Sequence, residues 1–125
     1  MSLLAANVPL TIEQGATFEL PIQWLEADGS AKDISGLDFA IQIRPSKESS
    51  TVLIEGSYDG GTDTPTGDIV ISEDGVGGTI TLYIAPADTA ALDFTRAVYD
   101  LEVNDGTDVQ RLMGGPVTLS KEVTR

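Results

Sequence analysis

Apolar and polar positions alternate along this chain with a period of two. Ile80, Leu82 and Ile84 share one face of an extended segment, and Ala97, Tyr99, Leu101 and Val103 share another. The same rhythm runs through Phe18, Leu20, Ile22 and Trp24, and through Phe39, Ile41 and Ile43, with Glu19, Gln23, Asp38, Gln42 and Arg44 interleaved. Successive side chains of a strand point to opposite faces, so this pattern predicts strands with one buried and one wet face.

Turn residues divide the pattern into short strands. The first covers residues 8–12 and ends at Gln14-Gly15; the second covers 17–25 and contains Pro21, which cannot donate to a ladder and so predicts an edge or a bulge. Residues 37–44 form a further strand closed by Pro45, and 51–55 a short one. Residues 56–67, rich in Gly, Asp and Thr, predict a long surface loop that exposes Tyr58. Residues 68–72 pair with 79–84 across a glycine-rich turn, and 86–92 predict one or two helical turns. The Asn104-Asp105-Gly106-Thr107 turn predicts a hairpin between 96–104 and 109–113, with Gly114-Gly115-Pro116 breaking the return strand before 117–123. The expected product is an all-β antiparallel sandwich of seven to nine strands with one short helical turn, a single domain over residues 1–125. Residues 1–7 are expected to form an N-terminal arm, and residues 117–125 a C-terminal strand or arm.

Composition sharpens the functional reading by exclusion. The chain has 125 residues, 41% of them hydrophobic, which suffices for one core. Seven Lys and Arg stand against 20 Asp and Glu, a net charge of −13 spread along the sequence. That field repels phosphates and anionic headgroups, so neither nucleic acid nor membrane is an expected partner. Cysteine and histidine are absent, which removes disulfides, thiolate nucleophiles, imidazole bases and metal sites built on nitrogen or sulfur. No nucleophile elbow, P-loop or dinucleotide glycine pattern occurs, and residues 59–68 lack the spacing of a calcium loop. No catalytic residue, cofactor or metal is expected, and the chain reads as a non-enzyme.

Four apolar residues, Leu25, Val70, Val98 and Leu112, fall on the nominally wet faces of their strands. A second apolar face asks for a second cover, which predicts an assembly interface. With the terminal segments, the expected partner contacts are Leu3, Leu4, Leu25, Val70, Tyr83, Val98, Leu112, Val117, Leu119 and Val123.

Three passages resemble a family of small tail-associated structural proteins of tailed bacteriophages and prophages. They are residues 11–18 with Trp24 following, Asp33-Ile34-Ser35-Gly36 leading to Ile41-Gln42-Ile43-Arg44, and residues 97–103 continuing to Arg111-Leu112-Met113-Gly114-Gly115. Residues 117–125 also match the family's ending. The Asp33-Ile34-Ser35-Gly36 entry to a strand is similar to that of the N-terminal attachment domain of phage baseplate upper proteins, and the surroundings of Tyr99 resemble the tyrosine corner of immunoglobulin sandwiches. The resemblance implies an immunoglobulin-like sandwich made in the host bacterial cytoplasm and incorporated into the virion. There it would act as a distal-tail or baseplate adaptor to fibre or receptor-binding components, bound to other virion proteins and to copies of itself. A capsid decoration protein and a carbohydrate-binding module are the alternatives.

Overall fold

A computed structural model describes residues 6–123. Ten extended segments form two sheets. They are β1 (Ala6–Asn7), β2 (Leu10–Glu13), β3 (Phe18–Gln23), β4 (Asp38–Arg44), β5 (Ile54–Asp59), β6 (Thr64–Gly67), β7 (Ile69–Glu73), β8 (Thr79–Ile84), β9 (Arg96–Asn104) and β10 (Val109–Ser120). A 3-10 turn, Gly75–Gly77, joins β7 to β8, and a five-residue helix α1, Pro86–Ala90, carries the chain from β8 towards β9.

The seven-stranded sheet runs β1-β10-β9-β4-β5-β6, with β2 also on β10; the smaller sheet runs β3-β8-β7. All pairings are antiparallel except those of β1 and β2 with β10. The inward-facing residues of the alternating stretches meet between the layers. Phe39, Ile41 and Ile43 of β4 and Leu101 and Val103 of β9 face Ile80, Leu82 and Ile84 of β8 and Ile69 and Ile71 of β7, all but fully buried. Pro21 lies on β3, an edge strand, opposite Thr81 and exposed, where its missing N–H breaks no ladder.

Three expectations need correction. The stretch 56–67 is a hairpin made by β5 and β6; β6 and β1, the latter set off from β2 by Val8-Pro9, are two strands more than expected, and the continuity of β10 is one fewer, which makes ten. The return strand is not broken at Gly114-Gly115-Pro116. β10 continues to Ser120, and its bulge lies earlier: Arg111 opposes Glu102, Met113 opposes Leu101, and Leu112 is the extra residue. The Tyr99 hydroxyl does not close a tyrosine corner, because it donates to the Val8 carbonyl at 2.8 Å, across to the N-terminal strand.

Gly56 shows how closely the layers approach. A Cβ there would overlap the Ile69 main-chain carbonyl, so the crossing of β5 over β7 admits no side chain. Gly56→Ala should lower stability by about 1–3 kcal/mol in urea denaturation, since backbone must move to accept it. Gly61→Ala, in the exposed turn, should stay within about 0.5 kcal/mol of the parent. Leu101→Ala should cost about 2–5 kcal/mol through the cavity it leaves.

Candidate functional site

The outer face of the seven-stranded sheet holds a broad shallow depression of about 1100 Å³ over β5, β4, β9 and β10. Strand register orders its side chains in rows. Ser57, Ala40, Glu102 and Arg111 form one row, and Glu55, Gln42, Asp100 and Gly114 the next; Arg44, Val98 and Pro116 follow. Small residues floor much of it, which is why it is hollow.

Its charges are linked across strands. Gln42 donates from Nε2 to Glu55 Oε1 at 3.2 Å and accepts at Oε1 from Arg44 Nε and Nη2 at 3.1 and 2.7 Å. Arg44 Nη1 donates to the Ser49 carbonyl at 2.6 Å. Arg111 Nε stands 3.6 Å from Asp100 Oδ2, a loose pair with both side chains about half exposed. Along the lining of the depression Arg44, Lys47 and Arg111 stand against Glu55, Asp100 and Glu102, although the chain carries −13; Asp38, Asp59 and Arg96 lie further out on the same face.

The expected contact residues do not form one surface. Val98, half-buried, belongs to the depression. Val70 and Tyr83 sit opposite each other on the outer face of the smaller sheet, the first 37% exposed and the second half-buried. Leu25 is 45% exposed beyond the end of β3, and Val123 is 94% exposed past β10. Leu112, Val117 and Leu119 are corrected: all three are buried in the chain's own core. The bulge turns Leu112 inward beside Met113, and Val117 and Leu119 lie on the core-facing side of β10, alternating with exposed Pro116, Thr118 and Ser120. Leu3 and Leu4 lie outside the described residues.

Tyr58 is also corrected. Its ring is buried against Phe39, and its hydroxyl lies 2.8 Å from Asp63 Oδ1 and 3.1 Å from Glu73 Oε1. It anchors the β5–β6 turn to the end of β7 and offers no platform for a sugar. The charge arrangement of the depression was missed in the sequence because it depends on which strands are neighbours. Alternation could have found its outward positions, though not their order across the sheet.

A smaller cavity of about 170 Å³ lies at the end of the sandwich where the β3–β4, β7–β8 and β9–β10 connections meet, lined by Trp24, Lys32, Leu37, Val103, Asp105 and Gln110 among others. Trp24 is buried, the Lys32 ammonium lies 5.0 Å from its ring centroid, and its Nε1 has no hydrogen-bond partner among the described residues. Among the described residues no group of three acidic side chains could hold a metal ion, and no helix is long and apolar enough to cross a membrane.

Strand order decides the fold family. A larger sheet ordered β2-β10-β9-β4-β5-β6 facing β3-β8-β7 matches the variable-type arrangement in which two extra strands join one sheet, with the first strand moved onto the last. The fold is immunoglobulin-like. A marsupial T cell receptor structure superposes with a TM-score of 0.52 at 14% identity, over 94% of this chain and 51% of that one. The extracellular domains of the voltage-gated sodium channel beta4 subunit, solved as parallel homodimers in the context of cell-cell adhesion, give 0.45 at 14% identity over 97% of this chain and 95% of that one. A structure from work on cell-adhesive interactions of voltage-gated sodium channel beta subunits gives 0.46 at 14% identity, over 98% and 100%. The likeness to the T cell receptor structure, at this identity, speaks to the fold alone. No family model and no curated protein matches the chain.

Burial raises the Tyr99 hydroxyl to about 12. Burial, with the Asp63 and Glu73 carboxylates beside it, also raises Tyr58. An unfolded tyrosine ionises near 10.0, so above that pH the unfolded state loses protons that the folded state keeps. The tyrosine contribution is therefore complete below pH 10 and shrinks as pH rises towards 12. Urea unfolding should show stability falling over that window, and Tyr99→Phe should flatten the fall while lowering stability at pH 8 by about 1 kcal/mol for the lost Val8 bond.

Proposed function

We propose that this chain is a structural docking module of a bacteriophage virion. In this reading it is an adaptor in the distal tail or baseplate that joins the tail to fibre or receptor-binding components through protein-protein contacts, with no catalytic role. One observation carries the docking part of the reading: the outer face of β4, β5, β9 and β10 holds a hollow floored by small side chains, whose lining carries as many cationic as anionic groups on an acidic molecule. A balanced hollow is where a neighbouring protein meets least long-range repulsion, and its ordered side-chain network costs little further entropy on docking. The phage context rests on the resemblance of residues 11–18 with Trp24, of 33–36 with 41–44, and of 97–103 with 111–115 to small tail proteins.

The test is localisation in particles. An epitope inserted at Gly106, in the exposed β9–β10 turn, should be found by immunogold labelling at the distal tail of virions purified from cells that carry the encoding phage. Val98→Asp in the same chain should leave the melting temperature within a few degrees and reduce labelling at least about tenfold. Label confined to heads, or virions without the chain, would overturn the tail assignment.

A further inference from the structure

Asp-Gly occurs four times in the chain, as Asp28-Gly29, Asp59-Gly60, Asp74-Gly75 and Asp105-Gly106. In a free peptide this pair rearranges readily, because no Cβ shields the glycine nitrogen. That nitrogen attacks the preceding Asp Cγ: an N–Cγ bond forms, the N–H proton and the carboxyl hydroxyl leave as water, and a succinimide ring closes. Water then reopens the ring. Opening at the main-chain carbonyl routes the backbone through the side chain, an isoaspartyl link with one more main-chain carbon, with no net oxidation and no change of mass.

In the folded chain all four glycine nitrogens are engaged. Gly29 donates to the Glu26 carbonyl at 3.0 Å, whereas Gly60 donates to Asp38 Oδ1, Gly75 to Glu73 Oε2 and Gly106 to Asn104 Oδ1, each at 2.8 Å. The carboxylates open to attack are held as well. Oδ1 of Asp59 accepts the Gly61 N–H at 2.9 Å, and Oδ1 of Asp105 accepts those of Thr107 and Asp108 at 2.9 and 2.7 Å. Attack needs the nitrogen to shed its proton and Cγ to swing onto it; an acceptor on that proton opposes the first step, and a pinned oxygen opposes the second. We infer that Asp59 and Asp105 are latent sites of isoaspartate formation, kept intact by Asp38 and Asn104, whose side chains hold the N–H of the glycine that would attack. Asp38 lies on β4 and reaches Gly60 just past the end of β5, so this guard exists only in the assembled sheet. Asp108 and Thr107 also hold the Asp105 carboxyl below the ordinary range, and a carboxyl that stays ionised has no hydroxyl to lose as water. Conversion at Asp59 would add a main-chain carbon where that residue pairs with Thr64, at the closed end of the β5–β6 hairpin. Glu73 holds Gly75 in the same way, but it also takes a bond from the Tyr58 hydroxyl, so its removal would disturb two contacts at once.

The experiment ages the full chain for weeks at physiological temperature and pH, then locates isoaspartate by peptide mapping after labelling with an isoaspartyl methyltransferase. The same chain unfolded in urea is the reference. The folded parent should convert at Asp59 and Asp105 at least about tenfold more slowly than the unfolded chain, since conversion waits on local opening. Asp38→Ala should speed conversion at Asp59 at least about threefold and leave Asp105 within about twofold of the parent, and Asn104→Ala should do the reverse. Asp38→Asn keeps an acceptor oxygen and should hold Asp59 within about twofold of the parent. Three outcomes overturn the inference. They are a folded parent that converts as fast as the unfolded chain, a guard variant with no rise at its own site, and a variant that raises both sites alike, which marks general loosening of the fold instead of a lost guard.

Discussion

The contact between the two sheets carries the fold. Many immunoglobulin sandwiches tie the layers with a disulfide and a tryptophan on the third strand. Here cysteine is absent and β4 carries Phe39, Ile41 and Ile43 instead. Leu101, Ile71, Ile80 and Leu82, none exposed at all, occupy the space between the layers. Such a core has no covalent reserve, so its cohesion depends on close packing of branched side chains and on the absence of a side chain where strands cross, as at Gly56. The only tryptophan, at the end of β3, closes one end of the sandwich under Lys32 rather than filling its centre.

The opposite end is closed by polar groups. Gln14 donates to the Leu92 carbonyl at 2.9 Å and accepts the Glu122 N–H at 2.9 Å, joining three segments far apart in the chain. Thr89, fully buried in α1, donates its hydroxyl to the Ala16 carbonyl and accepts from the Gly15 N–H, whose φ of 85° a side chain would strain. Residues 11–18, which carry part of the sequence resemblance, thus have a plain structural role, since they bind the turn after β2 to the helix and to the end of β10. Val117 and Leu119 are buried because they point inward between the sheets, alternating with exposed Pro116, Thr118 and Ser120.

Strands with unbroken alternation, β3, β4, β8 and β9, were legible because period two is a local property of the chain. What escaped depended on geometry between segments. Leu112 read as outward since counting by twos assumes a regular ladder, and one inserted residue inverts every phase before or after it. The β5–β6 hairpin read as a loop because Gly56 and Gly67 resemble flexible chain, whereas they are glycines required by the approach of Ile69 and Glu55. Tyr58 accordingly looked exposed, and its acidic partners are Asp63, just before β6, and Glu73, the last residue of β7. The rows of side chains across the depression could not be read at all, because they need β9 placed beside β4, a neighbour distant in sequence.

The acidic composition has a local explanation that bears on where partners can sit. Asp28, Asp33, Asp59 and Asp105 each accept a main-chain N–H two residues on, and Asp74 accepts that of Thr79 across its turn. Hydrogen bonds from Ser30, Ser35, and Asp108 with Thr107 hold Asp28, Asp33 and Asp105 below the ordinary carboxylate range. These turns lie at one end of the sandwich, so much of the negative charge is there to shape loops. It forms an acidic pole that disfavours end-on contact with another acidic surface. At that end the strands take part as well, since Asp38 of β4 accepts the Gly60 N–H and Asn104 of β9 that of Gly106. Glu55, Asp100 and Glu102, further along the sheet, accept no main-chain N–H of a turn among the described residues, so the charge there is not tied to shaping loops.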